Sequence, residues 1–271
     1  MGMVGSRGLR LGLLASVAVC VALAAAGCAS NSATPQTIII TPKPGTPGPN
    51  DTPTPTLPPP DITHAVISTT APDSRWVVTF KKPIIGGVPP AAVTKINDAI
   101  TAKVNTYISA FTSKSLPTPA AGASPSTLDG DFTISLDTAA IVSLRFSILT
   151  DVSGDPQPVA TSGSLNFNAV SGAAINLGDL FSNVSAALPI ITAKTHESLS
   201  GTLGDDLKWP TGTVPMTFFD KSWTFVPEGL DFMWSQGSIA SSSAGMPSAI
   251  VAWPDLKSTI KADGPAGEFV Q

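Results

Sequence analysis

Ala140-Ile141-Val142-Ser143-Leu144-Arg145-Phe146-Ser147-Ile148-Leu149-Thr150 decides the fold class of this chain. Val142, Leu144, Phe146 and Ile148 are all large and apolar. Ile141, Ser143, Arg145, Ser147 and Leu149 alternate with them and are mixed. Successive side chains of a strand point to opposite faces, so this is a strand with one face in a core. Residues 131–136 form the strand before it. Residues 159–170 form the strand after it, beyond a turn at 151–158, with Leu165 and Phe167 on one face.

Upstream, residues 63–70 and 75–82 are rich in β-branched side chains and bounded by Pro and Asp. They are predicted as a hairpin across 71–74, with a loop at 83–90. Val93, Ile96, Ile100, Val104, Tyr107, Ile108 and Phe111 recur at helical spacing, and Pro89-Pro90 supplies a start, so 91–111 is a helix. A Pro/Ala/Ser loop follows at 117–126. Downstream come a helical corner at 177–181 and a second helix at 185–199, weakened by Pro189. Short strands follow at 217–219, 222–226, 229–234 and 250–253, and a helical turn opens at Pro254. Pro227-Glu228-Gly229 is the turn between two of these strands. Strands grouped around helices without βαβ alternation give an α+β fold. The expectation is antiparallel sheets, one long helix and one or two shorter ones, in two closely packed subdomains at 61–150 and 151–271.

The first sixty residues have another character. All 11 Phe, 5 Trp and the single Tyr of the 271-residue chain lie beyond them. Arg7 and Arg10 precede an apolar run at 11–27, the pattern of an export signal spanning 1–27. It ends Leu23-Ala24-Ala25-Ala26-Gly27-Cys28, which resembles a bacterial lipobox. Cys28 is then the lipidated N-terminus of a protein held on the outer face of the cell membrane. The alternatives are plain secretion and an uncleaved anchor. Cys20 reads as filler of the apolar run. Residues 31–60 hold 10 Pro and 7 Thr, so 28–60 reads as a disordered, semi-rigid stalk with a reach of roughly 90 Å. Ile38-Ile39-Ile40 is its one apolar run. The formal charge of −4 disfavours nucleic acid as a partner. Both cysteines, Cys20 and Cys28, lie near the start, which excludes a disulfide scaffold and a Cys-based zinc site.

Three groups of residues carry a family resemblance. Ser164-Leu165-Asn166-Phe167-Asn168, Ser171-Gly172 and Ile175-Asn176-Leu177-Gly178-Asp179-Leu180-Phe181 form the first; Phe225-Val226-Pro227-Glu228-Gly229-Leu230-Asp231-Phe232 forms the second. Ile239-Ala240, Ala244-Gly245 and Val251-Ala252-Trp253-Pro254-Asp255-Leu256 form the third. Together they resemble the RsiV-like C-terminal domain family, found in the extracytoplasmic halves of RsiV-type anti-sigma factors and in secreted or lipid-anchored actinobacterial proteins. Residues 66–150 fit the smaller domain that often precedes it. Many members carry a Gly-Ala-His segment ahead of the first motif; here residues 153–158 contain no His. Ten residues before the apolar run leave no room for a sigma-binding segment. RsiV itself binds lysozyme, so the resemblance implies a ligand-binding module without the signalling half.

Candidate chemistry is sparse. His64 and His196 are the only histidines, and a metal site needs more ligands than that to converge. A nucleophile elbow, a phosphate loop and a dinucleotide fingerprint are all missing from the sequence, so no cofactor is expected. Asp179 reads as a turn brace. Asp205-Asp206 beside Trp209 would suit carbohydrate contact, or a carboxylate pair acting on wall glycan, against a plain solvated loop. Phe218-Phe219, read as a strand, spans both faces and leaves one ring for a partner. Trp76, Trp223, Trp234 and Trp253 are expected in the core. The expectation is thus a non-enzymatic, lipid-anchored binding protein of the cell envelope. Its ligand surface lies around Trp209, Phe218, Phe219, Asp205 and Asp206, and it takes a lysozyme-like protein or peptidoglycan. The rivals are a carboxylate-dependent enzyme on wall glycan and a structural or immunogenic surface protein.

Overall fold

Strand β4 (Ile141–Asp151) is buried on both faces over most of its length, and the architecture follows from that. A computed structural model describes residues 57–271 apart from Thr213; the expected leader, Cys28 and nearly all of the stalk lie outside the described residues. The first sheet runs β1 (Asp61–Thr70), β2 (Trp76–Gly86), β3 (Ser126–Asp137), β4, β5 (Val159–Asn168) in spatial order. Every neighbouring pair is antiparallel except β2–β3, which is parallel. The helix α1 (Pro90–Thr112) makes that parallel crossover, because a two-residue turn cannot join parallel strands. β5, beyond residue 150, completes this sheet.

Val142, Leu144, Phe146 and Ile148 pack with Val78, Phe80 and Leu128 against Ile96, Ile100, Val104 and Phe111 of α1. This is the apolar face that the alternation announces. Close approach is secured by two glycines with no Cβ in the way. Phe80 lies over Gly130, its partner across β2–β3, and Tyr107 of α1 lies over Gly163 of β5. Tyr107, Phe80 and Phe146 form one aromatic group with centroids 6.2–6.3 Å apart.

The mixed face of β4 is covered as well. Its cover is the second sheet, β6 (Trp223–Val226), β7 (Gly229–Met233) and β8 (Ser248–Ala252), antiparallel throughout. Arg145 is 8% exposed and Asp231, on β7, 9%. Arg145 Nη1 donates to Asp231 Oδ2 at 2.6 Å, and Nη2 donates to Thr224 Oγ1 at 2.6 Å and to the Asp231 carbonyl at 3.0 Å. Ser143 Oγ donates to Asn166 Oδ1 and accepts from Phe225 N. Asn166 Nδ2 donates to the Trp223 carbonyl. Polar residues of β4 and β5 thus satisfy the backbone of β6, as buried groups require. The opposite face of the second sheet packs Trp223, Phe225, Phe232 and Val251 on Ala187, Ile191 and Leu199 of α2 (Val184–Leu203).

Several sequence expectations are corrected. Residues 83–86 belong to β2, not to a loop. Pairing with β3 stops at Phe80–Gly130, so Pro83 removes no ladder donor on that side. β3 starts at Ser126, five residues earlier than expected. Met216–Phe218 is a 3-10 turn opened by Pro215 rather than a strand, with Phe219 N donating to the Met216 carbonyl at 2.9 Å. α2 runs straight through Pro189 for 20 residues. Trp76 is half-buried, while Trp223, Trp234 and Trp253 are in the core.

Burial pushes the Tyr107 hydroxyl from an ordinary 10.0 up to about 12. The unfolded chain releases that proton near its ordinary value and the folded chain holds it, so this group weakens the fold as pH rises between the two. Over that window the expected loss is about 2–3 kcal/mol, and it should vanish in Tyr107→Phe. Because Tyr107 is the chain's single tyrosine, phenolate absorbance reports it alone. A midpoint near the ordinary value in the folded protein would contradict this packing.

Candidate functional site

The residues singled out around position 209 come together, but not all in the expected roles. Trp209 is half-buried and sits at the head of an aromatic cluster. Its ring meets Phe218 edge-on at 5.3 Å and Trp234 at 6.2 Å, and lies 5.2 Å from the His196 ring of α2. Phe218 stands edge-on to Phe219 at 5.1 Å, and Phe219 to Phe232 of β7 at 5.4 Å. Edge-on pairs at these separations are favourable beyond the area they bury.

The expectation for Phe218-Phe219 is corrected here. A strand would send the two rings to opposite faces. The 3-10 turn instead brings both into one cluster, where Phe219 is 1% exposed and unavailable to a partner. Phe218 remains half-buried at the edge.

Asp205 and Asp206 part company. Asp205 is exposed. Asp206 Oδ2 accepts the Ser241 hydroxyl at 2.6 Å, and its carboxylate also accepts Ser241 N at 3.1–3.2 Å. Nearby, Lys208 N donates to the Ile239 carbonyl at 2.7 Å. The two loops are thereby stapled together, and Asp206 braces the strand of chain that carries Trp209. The Ser241 hydrogen bond holds its carboxyl below the usual 3.8. Asp73 and Asp131 are likewise shifted down, through their hydrogen bonds to Arg75 and Lys81. A general acid needs the opposite shift.

Two depressions border the aromatic cluster. The first is a groove of about 540 Å³ between α2 and residues 209–214. Leu188, Pro189, Ala193, Trp209, Pro210 and Val214 give it an apolar floor, with Ser185, Thr192 and His196 at its polar points. Pro189 has no N–H to give the Ser185 carbonyl one helical turn back, which leaves that acceptor at the groove. The second is a cleft of about 370 Å³ walled by Phe218, Met233, Trp234 and Ile239. Four hydroxyls, of Ser162, Ser222, Ser235 and Ser238, line it together with Lys221. Ser162 Oγ and Ser222 Oγ are hydrogen-bonded at 2.6 Å, and the Ser238 hydroxyl donates to the Ser235 carbonyl at 2.6 Å.

Sequence reasoning missed the cleft, since Ser162 stands sixty residues from Ser222 in the chain. The groove left a trace: Ser185, Leu188, Pro189, Thr192 and His196 recur at helical spacing on one side of α2. His64 and His196 do not converge. His64 sits on β1 near Phe132, and His196 sits on α2. Among the described residues no group of three or more His, Cys, Asp or Glu could hold a metal. Asp179 closes a capping box with Asn176, as expected of a turn brace.

No protein-family model matches the chain, and no curated protein matches it. Solved structures do. The crystal structure of a DUF3298 family protein from Pseudomonas aeruginosa PAO1 aligns over 75% of this chain and 94% of its own, at a TM-score of 0.53 and 11% identity. A DUF3298 member from Bacteroides fragilis NCTC 9343 aligns over 80% and 99%, at a TM-score of 0.47 and 12% identity. The first of these establishes a shared fold. It does not carry an activity across, because one fold hosts many.

Proposed function

We propose that this chain is a binding module of the cell envelope that takes a hydroxylated, ring-shaped ligand, a glycan of the wall, beside Trp209. One observation carries the reading. Half-buried Trp209 walls an apolar groove and packs on Phe218 and Trp234, which wall a cleft lined by four serines and a lysine. Sugar rings offer an apolar face and a rim of hydroxyls, so they need a flat aromatic surface together with short polar side chains. Small-molecule sites commonly combine apolar walls with a few placed polar groups.

Binding rather than turnover is the reading favoured by the acids. Asp206 is engaged with Ser241, Asp205 is exposed in the loop, and among the described residues the carboxylates of Asp73, Asp131 and Asp206 are shifted down by their hydrogen bonds. The RsiV-like motifs, from Ser164 to Leu256, also favour a ligand-binding module. Cys28, after its export signal, would hold the protein at the outer face of the membrane, with 28–60 as the spacer.

Calorimetry of the full chain with soluble N-acetylglucosamine–N-acetylmuramic acid oligomers tests the site. We expect saturable binding that weakens at least about tenfold in Trp209→Ala, as for a central aromatic anchor, with no glycan cleaved. Absence of binding, or binding indifferent to Trp209→Ala, would overturn the assignment. Tight binding to a lysozyme-like protein instead would move it to the protein-ligand reading. Separately, Cys28→Ala should shift the protein from the membrane fraction to the medium. Unchanged membrane retention would refute the lipid anchor.

A further inference from the structure

The strands at the borders of the two sheets are treated very differently. On β5, Gln236 N donates to the Ala160 carbonyl at 3.0 Å and Gln236 Oε1 accepts from Ala160 N at 2.7 Å. Ser235 Oγ accepts from Ser162 N, Ile175 N donates to the Asn166 carbonyl, and Asn168 N donates to the Ala173 carbonyl. On β6, Trp223 N and Phe225 N donate to Ser164 Oγ and Ser143 Oγ. β8 is only five residues long. β1 is ten residues long and pairs with β2 from Asp61 to Thr70 without a register shift. Among the described residues nothing hydrogen-bonds to its other border.

β1 also lacks the devices that blunt a free strand. Ile62-Thr63-His64-Ala65-Val66-Ile67-Ser68-Thr69-Thr70 contains no Pro, Lys, Arg or bulge, and Val66 at its middle is 59% exposed. A long, flat, β-branched border with unpaired N–H and C=O groups is a template for another strand.

We propose that β1 is the docking edge for β1 of a second copy of this chain, paired antiparallel about Val66 to make one continuous ten-stranded sheet. Charge suits self-pairing. Asp61 is the only acid on the strand and no Lys or Arg is present, so a two-fold arrangement places the two Asp61 carboxylates at opposite ends of the ladder, about 30 Å apart, and sets each His64 opposite Ser68 of the other copy. The described chain enters β1 from Leu57 at the same end, so each preceding segment leaves clear of the partner. Centring on Val66 keeps side-chain alternation in step, with both α1 helices on one side. α1 packs chiefly on β2. The two β2 strands would lie three strand spacings apart, about 14 Å, which exceeds the 8–10 Å at which helices pack. An isologous dimer results, independent of the glycan reading.

Cysteine scanning of the full chain tests this. The two native cysteines lie at positions 20 and 28, so a new one in β1 is the only thiol of the folded region. In Val66→Cys the two thiols would face each other across the two-fold axis, at a cross-strand Cβ separation of about 4.5–5.5 Å that a small strand adjustment brings to the roughly 3.5–4.5 Å of a disulfide on mild oxidation. The expected result is covalent dimer several-fold above Val170→Cys, an exposed control away from β1, with less at His64→Cys and Ser68→Cys. In parallel, Val66→Lys should convert a sedimenting dimer into a monomer that still unfolds cooperatively, at a temperature that no longer rises with protein concentration. Cross-linking at control level across β1 would overturn the proposal. So would a monomer whose outward β1 amides, those not bonded to β2, are protected from exchange, since that assigns the edge to a segment of its own chain.

Discussion

Arg145 and Asp231 are the pair on which the remaining arrangement depends. They come from different sheets, 86 residues apart in the chain, and meet at 2.6 Å with less than a tenth of either residue exposed. Neither charge is tolerable alone in that setting. Removing one partner of a buried pair leaves an uncompensated charge, a change that typically costs about 3–5 kcal/mol. β7 therefore docks over β4 in one position, since any shift that parts Asp231 from Arg145 leaves both charges buried and unpaired. The second guanidinium nitrogen fixes the neighbour as well, through Thr224 on β6.

From that fixed hairpin the candidate site follows. Phe232 of β7 backs Phe219, and Trp234, just past the strand, backs Trp209 and Phe218. Ser235 and Gln236 then cross to the border of β5, and the chain returns to meet Asp206 at Ser241. Each contact is modest by itself. In series they hold half-buried Trp209 at the wall of the groove and Trp234 at the wall of the cleft. The same sequence of contacts closes β5 against other strands, which is why β1 stands alone as a long open border.

How far the sequence foretold this depends on where the partners lie. The apolar half of β4, the stripe of α1 and the hairpin turn at Pro227-Glu228-Gly229 are local patterns, and each corresponds to an observed element. The other half of β4 was opaque. Ser143 and Arg145 resemble a solvated face, and only Asp231, Thr224 and Asn166, supplied by distant segments, make them interior. Phe218 and Phe219 misled for a related reason. Aromatic residues favour strands, but Pro215 starts a turn, and the cluster beneath rewards both rings on one side. Trp209 stands out in the sequence because it lies beside Asp205-Asp206 in a Gly-flanked loop, where a Trp face could stack on a sugar. The serines of the cleft were not, because their spacing in the chain says nothing of their meeting.

The most direct test of this account is a double-mutant cycle between Arg145→Met and Asp231→Leu, followed by denaturant unfolding. The account predicts strong coupling, at least about 1.5 kcal/mol, with the double variant more stable than either single one. Additive effects within about 0.5 kcal/mol would mean that the two charges do not depend on each other, and that something else sets the second sheet on the first.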